Sequence, residues 1–508
     1  MLKKIIKIED YSPKTQIESS AVDFLKILNE YSECYFVGGY PRDLLMYKFL
    51  NKKNIIKDID IAIKRKNKKD IKEFFESKNI EYKILNEVFG VYSVLFNGFN
   101  FQVASLRKDG KVSNGRRPSS IKFLNSIKKD SKRRDFTMNA LYFNPFLKTI
   151  TDFNGGIKDI KKEKIKFIGK TEKRIKEDYL RILRYIRFKN KYGLISKDKD
   201  INLIKQYGKN LEKISKERIK IELDEILSLT NINSVFYELD KFKILEYLLP
   251  EIKKTQGIIY KVNDNSNSDI YVFTLNCIKA FSNKILFNLL KKYLFKDFGD
   301  LQNTKDIKDC IIDKYGTGVL WSCLFHEIGK LNPEYIELEN GLKKIYFKDH
   351  ETMSLSISMD IMKRYGFNKE LKEEISWLII NHDSKLNELL DSNIVDKKKF
   401  AFNNNFVKLL ILNFVFLIAE YDDESLIEKE ISSKLLEFIN IYNDLLQDKI
   451  KISEIITPEI LKDFEIKEGQ VSSQIINEMS NLFLEGKIKT KNGVIKYLEN
   501  KTGKIYSK

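Results

Sequence analysis

The sequence predicts an α+β protein: an α/β head over the first 150 residues, followed by a long all-helical neck, body and tail. Three observations predict it. Short runs of strand type crowd residues 20–150, helical periodicity takes over after Gly156, and strand-like segments become scarce from about Lys170 onward. At 508 residues the chain is several times what one core needs, so three or four domains or sub-domains are expected. The boundaries expected are a head at 1–150, a neck at 151–250, a further helical domain at 251–425 and a helical tail at 426–508.

Within the head, Cys34–Val37 is a short apolar run stopped by Gly38-Gly39. Ile59, Ile61 and Ile63 alternate with Asp58, Asp60 and Lys64, the period of a half-buried strand. Val88–Phe96 and Phe99–Leu106 read as two strands joined by Asn97-Gly98, a favoured short hairpin turn. Asn139–Phe143 reads as the last strand. Further on, Asn263–Ser268 and Lys397–Asn405 are polar, low-complexity stretches expected to be loops or linkers. No fixed-period repeat is visible.

Composition bounds the function. Hydrophobic content is 43%, ordinary for a water-soluble chain, and no uninterrupted apolar window of ~18 residues exists, so no membrane span is expected. The N-terminus turns acidic at Glu9 and Asp10 before any apolar core, which makes it a poor signal peptide. Cys34, Cys277, Cys310 and Cys323 are scattered without a CxxC pair, as expected of reduced thiols in the cytoplasm. Lys plus Arg outnumber Asp plus Glu by 91 to 72, giving +19, which favours a polyanionic partner. The bland alternative is lysine inflation in a chain that is also rich in Ile and Asn.

The strongest local pattern is Gly38-Gly39-Tyr40-Pro41-Arg42-Asp43 followed by Asp58-Ile59-Asp60. Two carboxylates at i and i+2 on a strand project to the same face and can grip divalent cations, which prefer oxygen ligands. A glycine pair ahead of a helix lets backbone N–H groups approach a triphosphate, and Arg42 can add a charge-assisted contact. Either piece alone is common; the ordered pair resembles the signature of the nucleotidyltransferase superfamily that includes polymerase beta, the poly(A) polymerases and the CCA-adding enzymes.

The next strings narrow the resemblance. Arg133-Arg134-Asp135-Phe136-Thr137-Met138-Asn139-Ala140 is similar to the RRDFTxNA motif of class II CCA-adding enzymes and bacterial poly(A) polymerases, which implies ribose and phosphate binding by Arg134 and Asp135. Asp152–Gly156 resembles the short hinge between head and neck. In Glu177-Asp178-Tyr179-Leu180-Arg181, Asp178 and Arg181 sit one turn apart on a predicted helix, with Tyr179, Ile182, Leu183 and Ile186 as its buried stripe. A carboxylate and a guanidinium side by side can hydrogen-bond a base edge, although such a pair is more often a surface ion pair. In this order it resembles the EDxxR element, which implies that Asp178 and Arg181 select CTP or ATP while Arg184 and Arg187 contact the nucleotide. Ser215–Leu223, containing Glu217, Arg218 and Glu222, resembles the following family motif, a supporting helix. Arg107-Lys108-Asp109-Gly110 and Gly115-Arg116-Arg117-Pro118 resemble the flexible loop of enzymes that add the terminal A, with Arg107, Asp109 and Arg117 as its charged members. Gln102 stands where many relatives carry a carboxylate, so the metal site rests on Asp58 and Asp60, with Gly38, Gly39, Arg42 and Asp43 toward the nucleotide.

The chain has three histidines, in His326-Glu327, His350-Glu351 and Asn381-His382-Asp383. These resemble a degraded helical HD metal-phosphohydrolase domain. The resemblance places Phe273 where a ligand histidine is expected and Glu327 where the dyad aspartate is expected, and it leaves Glu420 and Asp422 as rivals for the distal acid. The expectation is a scaffold holding no stoichiometric transition metal. The tail around Gly469 and Gly486 resembles a surface near the tRNA elbow. The family reading implies addition of C, C and A to tRNA from CTP and ATP with Mg²⁺. The rivals are an A-adding enzyme or poly(A) polymerase of the same fold, an HD-type phosphohydrolase, and a non-catalytic RNA-binding protein. The oligomeric state is left open.

Overall fold

The structure is a computed structural model that describes residues 3–52, 56, 58–65, 71–110, 112–113, 117–118, 120–229, 231–263, 266–294, 311, 314–331, 334–337, 343–421, 423–464, 466 and 470–503. The expectations at Cys310, Gly115, Arg116, Asp422 and Gly469, and at the Arg117 side chain, lie outside the described residues. The chain divides into two compact units, Met1–Glu225 with Ser234–Leu248, and Ile226–Asn233 with Leu249–Lys508.

In the first unit the elements are β1 (Lys4–Lys7), α1 (Gln16–Tyr31), β2 (Cys34–Val37), α2 (Gly39–Leu50), β3 (Asp60–Ile63), α3 (Ile71–Ser77), β4 (Tyr82–Asn86), β5 (Val91–Phe96) and β6 (Phe99–Ser105). Four short strands follow: β7 (Arg107–Asp109), β8 (Val112–Ser113), β9 (Arg117–Pro118) and β10 (Ile121–Phe123). Next come α4 (Ile127–Ser131), β11 (Leu141–Asn144), β12 (Thr149–Asp152), α5 (Gly156–Lys161), α6 (Thr171–Glu177), α7 (Arg181–Tyr192), α8 (Asp198–Tyr207), α9 (Lys216–Leu227) and α10 (Ile232–Lys241). Eight strands form one mixed sheet in the order β1-β12-β11-β2-β3-β6-β5-β4. Its one parallel pair is β3 with β6, which sets Asp60 opposite Gln102.

Local chemistry explains the elements that carry the site. Thr15 and Glu18 close a reciprocal capping box that starts α1. The Glu18 carboxylate also accepts from the Tyr40 hydroxyl at 2.9 Å, tying α1 to the start of α2. The buried face of α1 sends Phe24 against Phe96 and Phe101, at ring separations of 5.1 and 5.6 Å. The β5–β6 hairpin turns at Asn97 and Gly98, with φ of 49° and 80° as a primed turn requires. Phe136 packs on Phe167, Tyr185 and Phe188, joining the end of the sheet to α7.

Several expected boundaries move. β3 begins at Asp60, so Asp58 lies just before the strand and is exposed. Val88 is exposed in the turn that precedes β5. The predicted strand at Asn139 begins at Leu141, because Thr137–Asn139 form a 3-10 turn, and β12 rather than β11 is the last strand of the sheet. β1, β4 and β12 carry too few apolar alternations to stand out in sequence.

The second unit is mainly helical. Helix Phe406–Glu420 is apolar and largely buried, and helices Ile270–Ala280, Gly318–Phe325 and Lys369–Asn381 pack against it. The expected loops are in part regular structure: Asn263 and Ser266–Ser268 belong to a two-stranded ribbon, and Lys397 is a buried residue of helix Ile394–Ala401, paired with Glu437 at 2.8 Å, while 402–405 form the turn before the next helix. A separate C-terminal core gathers Ile452, Ile460, Met479, Val494 and Leu498. Among the described residues no single helix is long and apolar enough to cross a membrane.

Gly156 opens α5 directly beneath the Thr137 turn, where a Cβ would lie 2.2 Å from the Thr137 carbonyl oxygen. Both neighbours are backbone, so nothing can yield cheaply. We expect Gly156→Ala to destabilise the first unit by at least ~1–3 kcal/mol in urea titration; an unchanged midpoint would show that this contact is loose.

Candidate active site

The site starts at Gly38, where β2 gives way to α2. Gly38 has φ +71°, and a Cβ there would sit 2.9 Å from Asp60 Oδ2, so both conformation and space demand glycine. Asp60 thus lies against the backbone that leads into α2. Burial chiefly, and then the charge of Asp58, push the Asp60 carboxyl up to about 6, against the pull of Arg134, Arg42 and Arg184. Asp58 and Asp60 are therefore close enough to repel, and Asp60 faces these arginines. Two hard carboxylates in mutual repulsion fit a divalent cation. Gln102, opposite Asp60 on β6, is exposed and brings no third carboxylate.

Arg42 is buried. Its Nε and Nη2 donate to the two oxygens of Asp43 at 3.0 Å each, and its Nη1 donates to Asn139 Oδ1 at 2.7 Å. The guanidinium also lies over Tyr192 at 4.7 Å. Gly39 leaves room for Arg42, since a Cβ there would meet Nη2 at 3.3 Å. Arg42 and Asp43 thus reach the site as a paired unit rather than as free charges.

Arg134 donates to the Tyr142 hydroxyl at 3.2 Å, and its Nε lies 3.5 Å from Asp130. Asp130 is fully buried and also accepts from Tyr142 at 2.6 Å, from Arg133 at 2.8 Å and from the Arg107 N–H at 2.9 Å. Asp135 receives Arg184 through Nε at 2.9 Å and Nη2 at 2.6 Å, together with the Phe136 N–H at 2.7 Å and Asn139 at 3.2 Å. Burial alone would raise its pKa; Arg184 and these donors bring it down to about 2.

The presumed reading pair is arranged otherwise than on one continuous helix. The helix breaks at Asp178–Leu180: Asp178 ends α6 and Arg181 begins α7. Asp178 accepts from Arg218 of α9 at 2.8 Å, while Arg181 donates to the Arg174 carbonyl at 2.8 Å and to Glu177 at 3.0 Å. Tyr179 is half-buried, and Ile182, Leu183 and Ile186 form the buried stripe. Arg184 also donates to Glu222 at 3.1 Å, and Arg187 is buried between Glu222 at 2.8 Å and Glu225 at 3.0 Å. Arg107 and Asp109 pair at 3.2 Å on β7, which is held in register by β10, so this end of the loop is ordered.

Sequence reading singled out neither Asn139, Asp130 and Tyr142 nor Arg174 as site residues, and took Arg218 and Glu222 only as support. Arg174 donates to the Arg133 carbonyl at 2.6 Å and pairs with Glu177. The i, i+4 spacing of Arg218 and Glu222 on α9 was the one available clue, since both then face α7.

In the second unit, all three histidines line a cavity of about 380 Å³ together with Phe273, Glu327, Glu420 and Lys434. Phe273 does stand beside His326, at a ring separation of 5.9 Å. Glu420 lines the cavity, and burial chiefly pushes its carboxyl up to about 7. Burial likewise lowers His326 to about 3, which keeps it neutral at physiological pH.

Comparison with known proteins adds the following. Residues 34–166 match the family described as the poly A polymerase head domain, and residues 201–255 match the probable RNA and SrmB-binding site of polymerase A. A CCA-adding enzyme of Leuconostoc citreum is 36% identical over 225 residues, covering 44% of this chain and 52% of that protein. A CCA-adding enzyme of Bacillus cereus is 33% identical over 266 residues, covering 51% and 63%. The chain thus spans about half the length of the curated relatives it matches. A solved tRNA-processing enzyme in apo form I shares the fold at a TM-score of 0.51 and 17% identity, over 93% of this chain and 99% of that one.

The Asp60 carboxyl has a sign that stability can read. Its folded pKa, about 6, lies above the ordinary 3.8, so between those values the folded state holds more protons and stability falls as pH rises. We expect Asp60→Asn to stabilise the metal-free protein at pH 7 by about 1–3 kcal/mol and to flatten the slope in that window. A less stable Asn variant would contradict the repulsion assigned to Asp58 and Asp60.

Proposed function

We propose that this chain, whose head belongs to the poly A polymerase family, adds C, C and A in turn to the 3′ end of tRNA, taking CTP and ATP as substrates and no nucleic-acid template. The observation that carries the reading is the carboxylate pair Asp58 and Asp60 set against the glycine entrance to α2, under the charges of Arg42, Arg134 and Arg184. The relatives matched support the tRNA substrate and do not favour the A-adding or poly(A) alternatives.

The residues divide the work as follows. The 3′-hydroxyl of the tRNA attacks the α-phosphate of the incoming nucleotide, and pyrophosphate leaves. Asp58 and Asp60 would hold Mg²⁺, which when bound supplies the Lewis acidity that eases deprotonation of the hydroxyl and offsets charge on the leaving group. Gly38 and Gly39 let the first N–H groups of α2 face the triphosphate, where the helix dipole favours an anion. Arg42, fixed by Asp43, and Arg134 add positive charge to that region. Asp135, already aligned by Arg184, is placed to accept a ribose hydroxyl, and Arg187 braces Arg184 through their shared Glu222. Arg107, Asp109 and Arg117 serve the loop that accompanies the change from C to A addition.

Asp178 accepts from the exocyclic amino group that cytosine and adenine share, and Arg181 donates to the adjacent ring acceptor. Arg218 occupies Asp178 before the base arrives, so the base must displace or share it. Uracil and guanine offer no amino group at the corresponding position and would leave Asp178 facing an acceptor. The +19 net charge supports tRNA phosphate contacts over the helical neck, body and tail, with affinity falling as salt rises. We place the work in the cytoplasm.

Asp58→Ala or Asp60→Ala should abolish nucleotide addition with tRNA binding retained. Residual turnover within about tenfold of wild type, ~1.4 kcal/mol of barrier, would overturn the two-carboxylate mechanism. Asp178→Ala should relax the preference for CTP and ATP over UTP and GTP more than it slows turnover; unchanged selection in competition assays would return Asp178 and Arg218 to a purely structural ion pair.

A further inference from the structure

Arg174 of α6 is a buried cation to which the proposed chemistry gives no part. Its guanidinium joins two segments. Nη2 donates to the carbonyl oxygens of Arg133, at 2.6 Å, and of Arg134, while Nη1 pairs with Glu177. Nε finds no acceptor among the described residues. Burial chiefly, and then the charge of Arg181, oppose the charge on Arg174. A buried guanidinium with one idle donor and a like charge beside it costs stability that an apolar side chain of similar size would not cost. The place of its two carbonyl partners gives a reason for that cost.

Arg133 and Arg134 immediately precede Asp135. Their N–H groups close the turn at the end of α4, onto the Asp130 and Ser131 carbonyls at 3.2 and 3.3 Å. Their own carbonyls go to Arg174, and the Asp135 carbonyl accepts from the Ile168 N–H at 3.1 Å. One guanidinium holding two successive carbonyls fixes two successive peptide planes, the second of which carries Asp135. The direction in which the Asp135 carboxylate leaves the backbone is fixed with them. The same side chain reaches the base-facing segment. Glu177 Oε2, which takes Arg174, also takes Arg181 Nη1 at 3.0 Å, and that Nη1 donates to the Arg174 carbonyl at 2.8 Å. Arg181 Nη2 lies 3.5 Å from the Arg133 carbonyl oxygen. Arg174 therefore sits where the segment bearing Asp135 meets the segment bearing Arg181, and is tied to both.

We propose that Arg174 is a positioning residue that sets Asp135 and Arg181 in one geometry without touching the nucleotide. The inference rests on the proposed nucleotide addition, in which Asp135 accepts a ribose hydroxyl and Arg181 faces the base. Its consequence is specific: ribose selection depends on where Asp135 stands, and so on the grip that Arg174 keeps on the two carbonyls. A lysine at this position would keep the charge, but it lacks the planar fork that serves both carbonyls and Glu177 together.

The test compares the full chain with Arg174→Lys and Arg174→Met. Each protein is assayed for kcat/KM with CTP and with 2′-deoxy-CTP on tRNA ending at the discriminator base, and for its KM toward that tRNA. We expect the preference for CTP over 2′-deoxy-CTP to fall at least ~10-fold in both variants, with KM for tRNA unchanged, because a small displacement of a positioned group costs on that order. In the nucleotide-free proteins, amide hydrogen exchange over residues 133–139 should quicken at least ~10-fold, while that of α1 and β2 stays as in the parent. The exchange comparison uses no substrate, so it judges Arg174 separately, and a parent chain that does not use CTP counts against the proposed function alone. Circular dichroism and melting curves check the fold, and Arg174→Lys carries the test if Arg174→Met does not fold. Equal losses with both nucleotides, or a lysine variant whose nucleotide preference and exchange match the parent, would overturn the proposal and leave Arg174 a structural ion-pair partner.

Discussion

The first unit depends on one electrostatic constraint. Asp58 and Asp60 are held near each other at the entrance of α2, and one of them is half-buried against the Gly38 backbone. Their repulsion and the burial of Asp60 oppose folding, and the surrounding arginines only partly offset them. A fold built for stability alone would not keep two acids there. The glycine, the antiparallel pairing of β2 with β3, and the β3–β6 parallel pair are the features that fix the backbone against that repulsion.

Around this pair the charges form a chain of contacts rather than a diffuse basic surface. Asp135 grips Arg184, Arg184 reaches Glu222, and Glu222 also takes Arg187, which continues to Glu225. The route runs from the end of the sheet through α7 to α9. Charged hydrogen bonds of this kind are directional, and in a half-buried setting each fixes the next side chain more firmly than an exposed ion pair would. Just before the N-terminal end of α7, Arg218 and Asp178 repeat the device, with Arg181 held by Glu177 and the Arg174 carbonyl. The arginines are therefore prepositioned by protein partners, so that under the proposed function a nucleotide would exchange with these partners instead of ordering free side chains.

Much of this was legible in the sequence, and the reasons are physical. The head stood out because Gly38-Gly39 and Asp58–Asp60 bracket a helix, and because alternation at Ile59, Ile61 and Ile63 marks a half-buried strand. What could not be read were the partners. No local pattern tells that Asp178 would face Arg218, 40 residues away, rather than Arg181 three residues on, because a break between α6 and α7 turns the two side chains apart. β1 and β12 were invisible since Lys4-Ile5-Ile6-Lys7 and Thr149-Ile150-Thr151-Asp152 are too short to show a period. Lys397 looked like a linker residue because its composition hides a buried amine paired with Glu437. In the second unit, the convergence of His326, His350 and His382 on one cavity could not be read from spacing, because it depends on where helices Gly318–Phe325 and Lys369–Asn381 end and where His350–Arg364 begins.

The central claim is that the protein itself chooses each nucleotide at a single site in the first unit. The most direct measurement incubates the purified chain with three tRNA substrates, ending at the discriminator base, at C and at CC, supplies each of the four nucleotides singly, and sequences the 3′ ends. The account predicts C additions to the first two, A addition to the third, and no use of UTP or GTP on any of them. Long A tails irrespective of the starting end, or A addition without C addition, would contradict it.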